Sequence, residues 1–230
     1  MNLPFWVRRT HKWIGLIIGV QALLWMVSGV YMTAISLEVI HGDHLAHVFD
    51  EPLARNAKRI DLEQLAKLQP GFESFKLKTF LGNEVYELKQ AGKTRLVDAS
   101  SGELLSPLGR EQIVTRAKDI YQGEAQIREV TWITQAPQEV AKRSVPMWAV
   151  RFDDRADSTL YFSPDSGDLL ARRHNLWRWF DFLWMLHIMD YDTRDDVNNT
   201  LLRVAAGVGL LFALSGAWLV FYSFRRKGRA

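Results

Sequence analysis

Two stretches of the chain carry no charged residue, Trp13 to Leu37 and Val204 to Phe224. At about 1.5 Å per helical residue they reach roughly 37 and 32 Å, enough to cross a hydrocarbon core of about 30 Å. The pattern predicts transmembrane helices over 13–37 and 201–224. Basic tails flank them at 1–12 and 225–230, and the rest of the chain is looped out between the spans. A cleaved signal peptide is the competing reading of the first run, with Ala34-Ile35-Ser36 as a weak cleavage site. The run is far longer than a signal core, and Gln21, Trp25 and Tyr31 interrupt it.

Between the spans the pattern shortens and alternates. Asp61 to Leu68 reads as a helix with Asp61 as its N-cap, closed by Pro70-Gly71. Strands follow near 72–80, 84–90 and 95–98, with Gly82-Asn83 and Gly92-Lys93 as hairpin turns. Arg110 to Tyr121 reads as a second helix, with strands near 126–133, 147–152 and 159–162. Alternation through Val85, Tyr86, Glu87, Leu88 and Lys89 suggests a sheet with one wet face.

These two groups are copies of one pattern. Leu96-Val97-Asp98-Ala99-Ser100-Ser101-Gly102-Glu103-Leu104-Leu105 parallels Tyr161-Phe162-Ser163-Pro164-Asp165-Ser166-Gly167-Asp168-Leu169-Leu170. Each is a strand end, a tight turn that needs glycine at positive φ, an acidic residue and two leucines. The expectation is an α+β domain of tandem helix-plus-three-strand antiparallel units, at 61–108 and 109–172, preceded by a His-rich juxtamembrane linker at 38–60.

A third stretch, Leu176 to Met189, carries Trp177, Trp179, Phe180, Phe182, Trp184 and His187 beside Arg178 and Asp181. It is too short and polar to span, and it reads as an interfacial helix within 173–200 or as a buried helix covering the sheet. Asp195 to Thr200 looks like a capped entry into the second span. That span repeats small residues every fourth position (Ala205, Gly209, Ala213, Ala217), and the first has Gly15 and Gly19 at the same spacing. Such stripes let helices approach closely in lipid, either within one chain or in a homodimer, toward which two lone spans lean.

Charge orients the chain. Arg8, Arg9 and Lys12 precede the first span, and Arg225, Arg226, Lys227 and Arg229 follow the second. That leaves 29 − 7 = 22 Lys and Arg between them, against all 26 Asp and Glu. The basic character belongs to the tails, so nucleic acid is not an expected partner and the lipid bilayer is. Both tails are expected in the cytoplasm of a bacterial cell, with the middle of the chain periplasmic. The sequence has no cysteine, which excludes disulfides and thiolate chemistry.

Six histidines hold the chemical interest. His11 precedes the first span, His187 lies in the Trp-rich segment, and His174 is in a basic loop. His41, His44 and His47, spaced by three, can share one helical face and, with Glu38 and Asp50, hold a divalent metal. The alternative is a polar, pH-sensitive linker. No nucleophile–His–acid set, phosphate loop or dinucleotide fingerprint is present.

His11-Lys12-Trp13-Ile14-Gly15-Leu16 resembles the opening motif of the PepSY-associated transmembrane proteins. The two strand–Ser-Gly–Leu-Leu units resemble PepSY domains. Leu186-His187, and Ser215-Gly216 followed by Arg225-Arg226-Lys227, resemble the family's closing features. The resemblance implies two kinds of function. Larger, four-span members include siderophore-iron reductases that hold haem b through membrane histidines and pass electrons across the inner membrane. Soluble PepSY domains hold or modulate secreted proteases. This chain departs from the reductases in having two spans and no histidine within the second.

On that resemblance His11, His187 and His41 are the expected haem ligands. His11 and His187 are separated by roughly the 30 Å bilayer core and so serve different haems. A homo-oligomer or larger membrane complex would supply paired imidazoles: His11 with its symmetry mate, and His187 with a mate or with His41. Trp13, Trp25, Tyr31 and Trp184 would pack the macrocycles. The alternative is a non-catalytic tethered module that binds a periplasmic protein.

Overall fold

The computed structural model describes residues 3–49, 52–55 and 57–227, with no side-chain description for residues 3, 4 and 225–227. The basic side chains at 225–227, Arg229 and Asp50 therefore lie outside the described residues. The chain divides into two compact units, one formed by the chain up to Ser36 with Trp179 onward, the other by Leu37–Arg178.

The first unit is built on α1 (Leu3–Ala34) and α6 (Thr200–Lys227), packed against each other. Both are longer than the uncharged runs, because helix continues through the flanking arginines and lysines. Only 11% and 6% of their most apolar windows are buried, so neither is the core helix of a soluble fold. The α6 start is capped as expected: the Leu202 N–H donates to Asn199 Oδ1 at 2.8 Å. The helices meet where Gly15 faces the Phe212 ring and Gly209 faces Trp25, with Ala205 buried. The small-residue stripes thus serve pairing within the chain at these positions. Gly19 faces open space, and Ala213 and Ala217 are exposed.

In the Leu37–Arg178 unit, α3 (Leu62–Leu68) begins with a capping box: the Gln64 N–H donates to Asp61 Oδ1 while the Asp61 N–H is answered by Gln64 Oε1. It covers a sheet of β1 (Ser74–Phe80), β2 (Asn83–Gln90) and β3 (Lys93–Asp98) in antiparallel order. The second copy has α4 (Arg110–Ile120), then β4 (Ile127–Ile133), β5 (Met147–Phe152), β6 (Thr159–Phe162) and a fourth strand, β7 (Leu169–Arg173), also antiparallel.

The internal repeat is structural. In the first turn the Gly102 N–H donates to Asp98 O and the Asp98 N–H to Glu103 O; in the second, Gly167 donates to Ser163 O and Ser163 to Asp168 O. Both glycines have positive φ, 77° and 68°. After each turn a leucine pairs back on the strand, Leu104 on Val97 and Leu169 on Phe162. The first return stops at that bridge, and the second extends into β7.

The expected wet face of the first sheet is partly filled. Leu65 of α3 packs with Tyr86, Leu88 and Val97 on one side. On the other, Phe80, Val85 and Leu96 join Ile113, Ala117 and Ile120 of α4 and Val150, Phe152, Leu160 and Phe162 of the second sheet. A helix shared between two sheets covers what a lone sheet would leave to water. The opposite side of the second sheet carries Met147, Ala149, Tyr161 and Ala171 over Val140 of a short 3₁₀ turn, Gln138–Val140.

The segment expected as a His-rich linker is folded against this unit. Helix α2 (Leu37–His41) ends at Gly42, whose φ is +73°. The chain then crosses α4's end: the His47 N–H donates to Ile120 O, the Gln122 N–H to Leu45 O, and Ile40 and Ala46 are fully buried.

Candidate functional site

The helical unit brings two of the nominated histidines against serines. His11, on α1, has Nδ1 2.7 Å from the Ser215 hydroxyl of α6, and its ring stacks on Phe212 at 4.2 Å and 10°. His187 lies at the end of α5 (Asn175–Ile188), with Nδ1 2.7 Å from Ser28 Oγ on α1.

Each serine also back-bonds to its own helix. Ser28 Oγ donates to Leu24 O at 2.6 Å, and Ser215 Oγ donates to Phe212 O at 2.8 Å. Each hydroxyl has one proton and more than one acceptor within reach, and the contact at Nδ1 ties each imidazole to the facing helix. Neither Nε2 has a hydrogen-bond partner among the described residues.

The two surroundings differ. His11 lines a cavity of about 320 Å³ with Trp6, Val7, Thr10, Ile14, Leu211 and Ser215. A side chain at Gly216 would come within 3.1 Å of the His11 ring, so glycine there gives the imidazole its room. At the other end, Trp25 Nε1 donates to His187 O at 2.7 Å and Gln21 Nε2 to Leu186 O at 3.2 Å, which fixes the backbone carrying the ring. Trp184 lies nearly parallel to His187, with ring centres 6.4 Å apart.

Of the other aromatics expected near these points, Trp13 is exposed and Tyr31 half-buried; the ring against His11 is Phe212. Sequence gives little to single out Ser28, since Thr33 and Ser36 share its apolar run; only the structure shows that its hydroxyl is the fully buried one.

His41, His44 and His47 belong to the Leu37–Arg178 unit and are exposed. The shared helical face expected for them is absent, because Gly42 ends α2 immediately after His41. His44 meets His174 edge-on at 5.7 Å, and His47 lies beside Phe49. Among the described residues no cluster of three or more His, Asp or Glu side chains is placed to hold a metal ion. His174 is the buried histidine of this unit, 1% exposed, with Nε2 3.1 Å from Ile40 O. Burial, reinforced by the charges His44 and Arg178 would present, holds its pKa below the ordinary imidazole range.

The same unit has two further polar regions. A groove of about 330 Å³ along β1, the edge strand of the first sheet, is lined by Val48, Phe49, Lys76, Lys78, Glu87 and Arg116 among others, with Lys78 bridging Glu87 and Asp168. On the second sheet, Arg178 pairs with Glu139 and Asp157, Arg151 pairs with Asp157, and Tyr161 donates to Glu139. Burial, followed by the Glu139 hydrogen bond and charge, raises the Tyr161 pKa far above its usual value.

No curated protein and no solved structure matches the chain. One family model does, described as the PepSY-associated TM region, and it covers residues 8–230. That match takes in both apolar helices and the α+β unit between them, and the chain therefore belongs to the PepSY-associated transmembrane family.

Proposed function

We propose that this membrane PepSY protein binds haem b and serves as a transmembrane electron-transfer component in the bacterial inner membrane, for iron or siderophore reduction or for a periplasmic redox partner. One observation carries the reading: two histidines on the helical unit are each held through Nδ1 by a serine on a facing helix, and each has an Nε2 without a partner among the described residues. A hydrogen bond on the other ring nitrogen is the support an axial imidazole needs. Along α1, His11 and the Ser28 level are 28 − 11 = 17 residues apart, about 25 Å of helix, so they serve separate positions across the bilayer.

The residues fit one axial ligand at each position. Among the described residues no second imidazole contacts either ring, so a bis-histidine site draws its partner from a second copy, as a homodimer would supply. Bound haem would supply one-electron chemistry at its iron. The chain's own part is to hold the two rings through their serines, to wall the His11 side with apolar groups, and to anchor the His187 backbone through Gln21 and Trp25. The basic flanks support cytoplasmic ends and a periplasmic central unit. Haem quantified per chain on purified protein tests the reading: one haem per chain in a dimer is expected, and less than 0.1 from haem-replete cells (roughly a trace level) contradicts it.

The second reading, a tethered module that holds a periplasmic protein such as a protease, is favoured by the groove along β1, which stands at the end of its sheet's strand order, where a strand can be added. Pull-down by the full chain that survives in a colourless preparation would select it.

A further inference from the structure

The chain enters the Leu37–Arg178 unit through α2 and leaves it through the first turn of α5. His174 touches both ends. Its buried ring has Nε2 3.1 Å from Ile40 O of α2, and its own carbonyl accepts the Arg178 N–H of α5 at 3.0 Å. A carbonyl only accepts, so Nε2 carries a proton in this contact.

Residues 37–46 form a strap along β7. Arg172 donates from Nε to Ala46 O at 3.0 Å and pairs through Nη1 with Asp43 at 3.3 Å. The fit is close: a Cβ at Gly42 would stand 3.1 Å from Leu45 and 3.3 Å from both Arg172 and His174. Ile40, Leu45 and Ala46 of the strap are buried.

The charged groups that face His174 are cations, or acids already engaged. From the strap, His44 meets the ring edge-on at 5.7 Å, and Asp43 is taken by Arg172. From β7 comes Arg172 itself, while Arg173 lies over Trp177. From α5, Arg178 is bound to Glu139 and Asp157. Among the described residues no carboxylate contacts the ring. A second ring proton would put a charge where neither water nor an anion receives it, and burial holds the pKa low. An imidazole released into water titrates near about 6.5, so acid favours any state that exposes the ring. Lifting the strap does so at the smallest loss of packing, because the sheets keep their own cores.

We propose that His174 is an acid-sensitive latch: its protonation releases residues 37–46 from β7 and loosens the start of α5, so that mild acid frees both connections of the central unit while its sheets stay folded. The proposal is independent of haem.

Hydrogen exchange of the full chain in detergent tests it, read peptide by peptide on either side of about pH 6.5 and corrected for the intrinsic rate. EDTA is present so that no metal bridges the histidines. Expected is an opening of residues 40–47 that grows up to ~10-fold per pH unit below about 6.5, with β5 and β6 unchanged. His174→Gln, which can still donate to Ile40 O but does not titrate, should remove the pH dependence. Protection of 40–47 that does not vary with pH overturns the proposal. Loss in step with β5 and β6 also overturns it, in favour of unfolding of the whole unit. A pH dependence that persists in His174→Gln overturns it in favour of another group. If that variant does not fold, the contrast between strap and sheet in the parent decides alone.

Discussion

Nδ1 of His187 lies 2.7 Å from Oγ of Ser28, a serine with no exposed surface that also reaches Leu24 O. The pair ties the imidazole to α1. Ser28→Ala leaves Nδ1 without its partner, at a cost of about 1–3 kcal/mol for a buried polar group, and frees the ring to turn. Haem affinity is expected to fall about 10-fold, within the range for lost supporting hydrogen bonds to metal ligands. Haemin titration measures it, with thermal melting as the control for fold. Ser215→Ala should act in the same way at His11.

The glycines of the helical unit are unequal. A Cβ at Gly15 would stand 2.9 Å from the Phe212 ring that stacks on His11; one at Gly19 would meet nothing within 4 Å. Gly15→Leu should therefore part α1 from α6 and lower the thermal midpoint of the purified chain, while Gly19→Leu leaves it within about 0.5 kcal/mol of the parent. Equal effects would mean that the stripe serves a different surface.

The repeated turns predict a second contrast. Gly102 and Gly167 combine positive φ with side chains 2.4 Å from an added Cβ, Leu68 in one case and Phe80 in the other. Gly92 has the same φ sign but open space. Alanine at 102 or 167 should cost about 2–4 kcal/mol, from strain plus overpacking, and alanine at 92 about 1. Denaturant melting of the full chain, followed through the central unit's tryptophans, separates the cases.

His174 makes the central unit sensitive to mild acid. Its folded pKa is lowered by burial, so between that value and the unfolded value of about 6.5 the unfolded chain binds more protons. Stability is full above the unfolded pKa and declines as pH falls through that window. The unfolding midpoint should drop as pH falls below about 6.5, and His174→Gln should flatten the decline. A slope unchanged in the variant would assign the effect to other groups.

Much of this was legible because it rests on local pattern. Uncharged length marked the spans, and the Asp61–Gln64 capping box and the β5 and β6 runs lie where alternation placed them. The repeated Ser-Gly turn marked the duplication, since only a glycine at positive φ closes it. What stayed hidden depends on long-range packing. Nothing local says that α4 will be shared by two sheets, that Ile40 and Ala46 of an apparent linker will be buried, or that Leu169–Arg173 will add a fourth strand. His11 and His187 were nominated from the family resemblance. Their serines were not paired with them, because 204 and 159 residues separate the partners.

The most direct test is the visible spectrum of the full-length protein purified in detergent from haem-replete cells, oxidised and then reduced with dithionite. The account predicts b-type bands that sharpen on reduction, weaken in His11→Ala and in His187→Ala, and vanish in the double variant. A colourless protein, or bands that persist unchanged without both histidines, would contradict it.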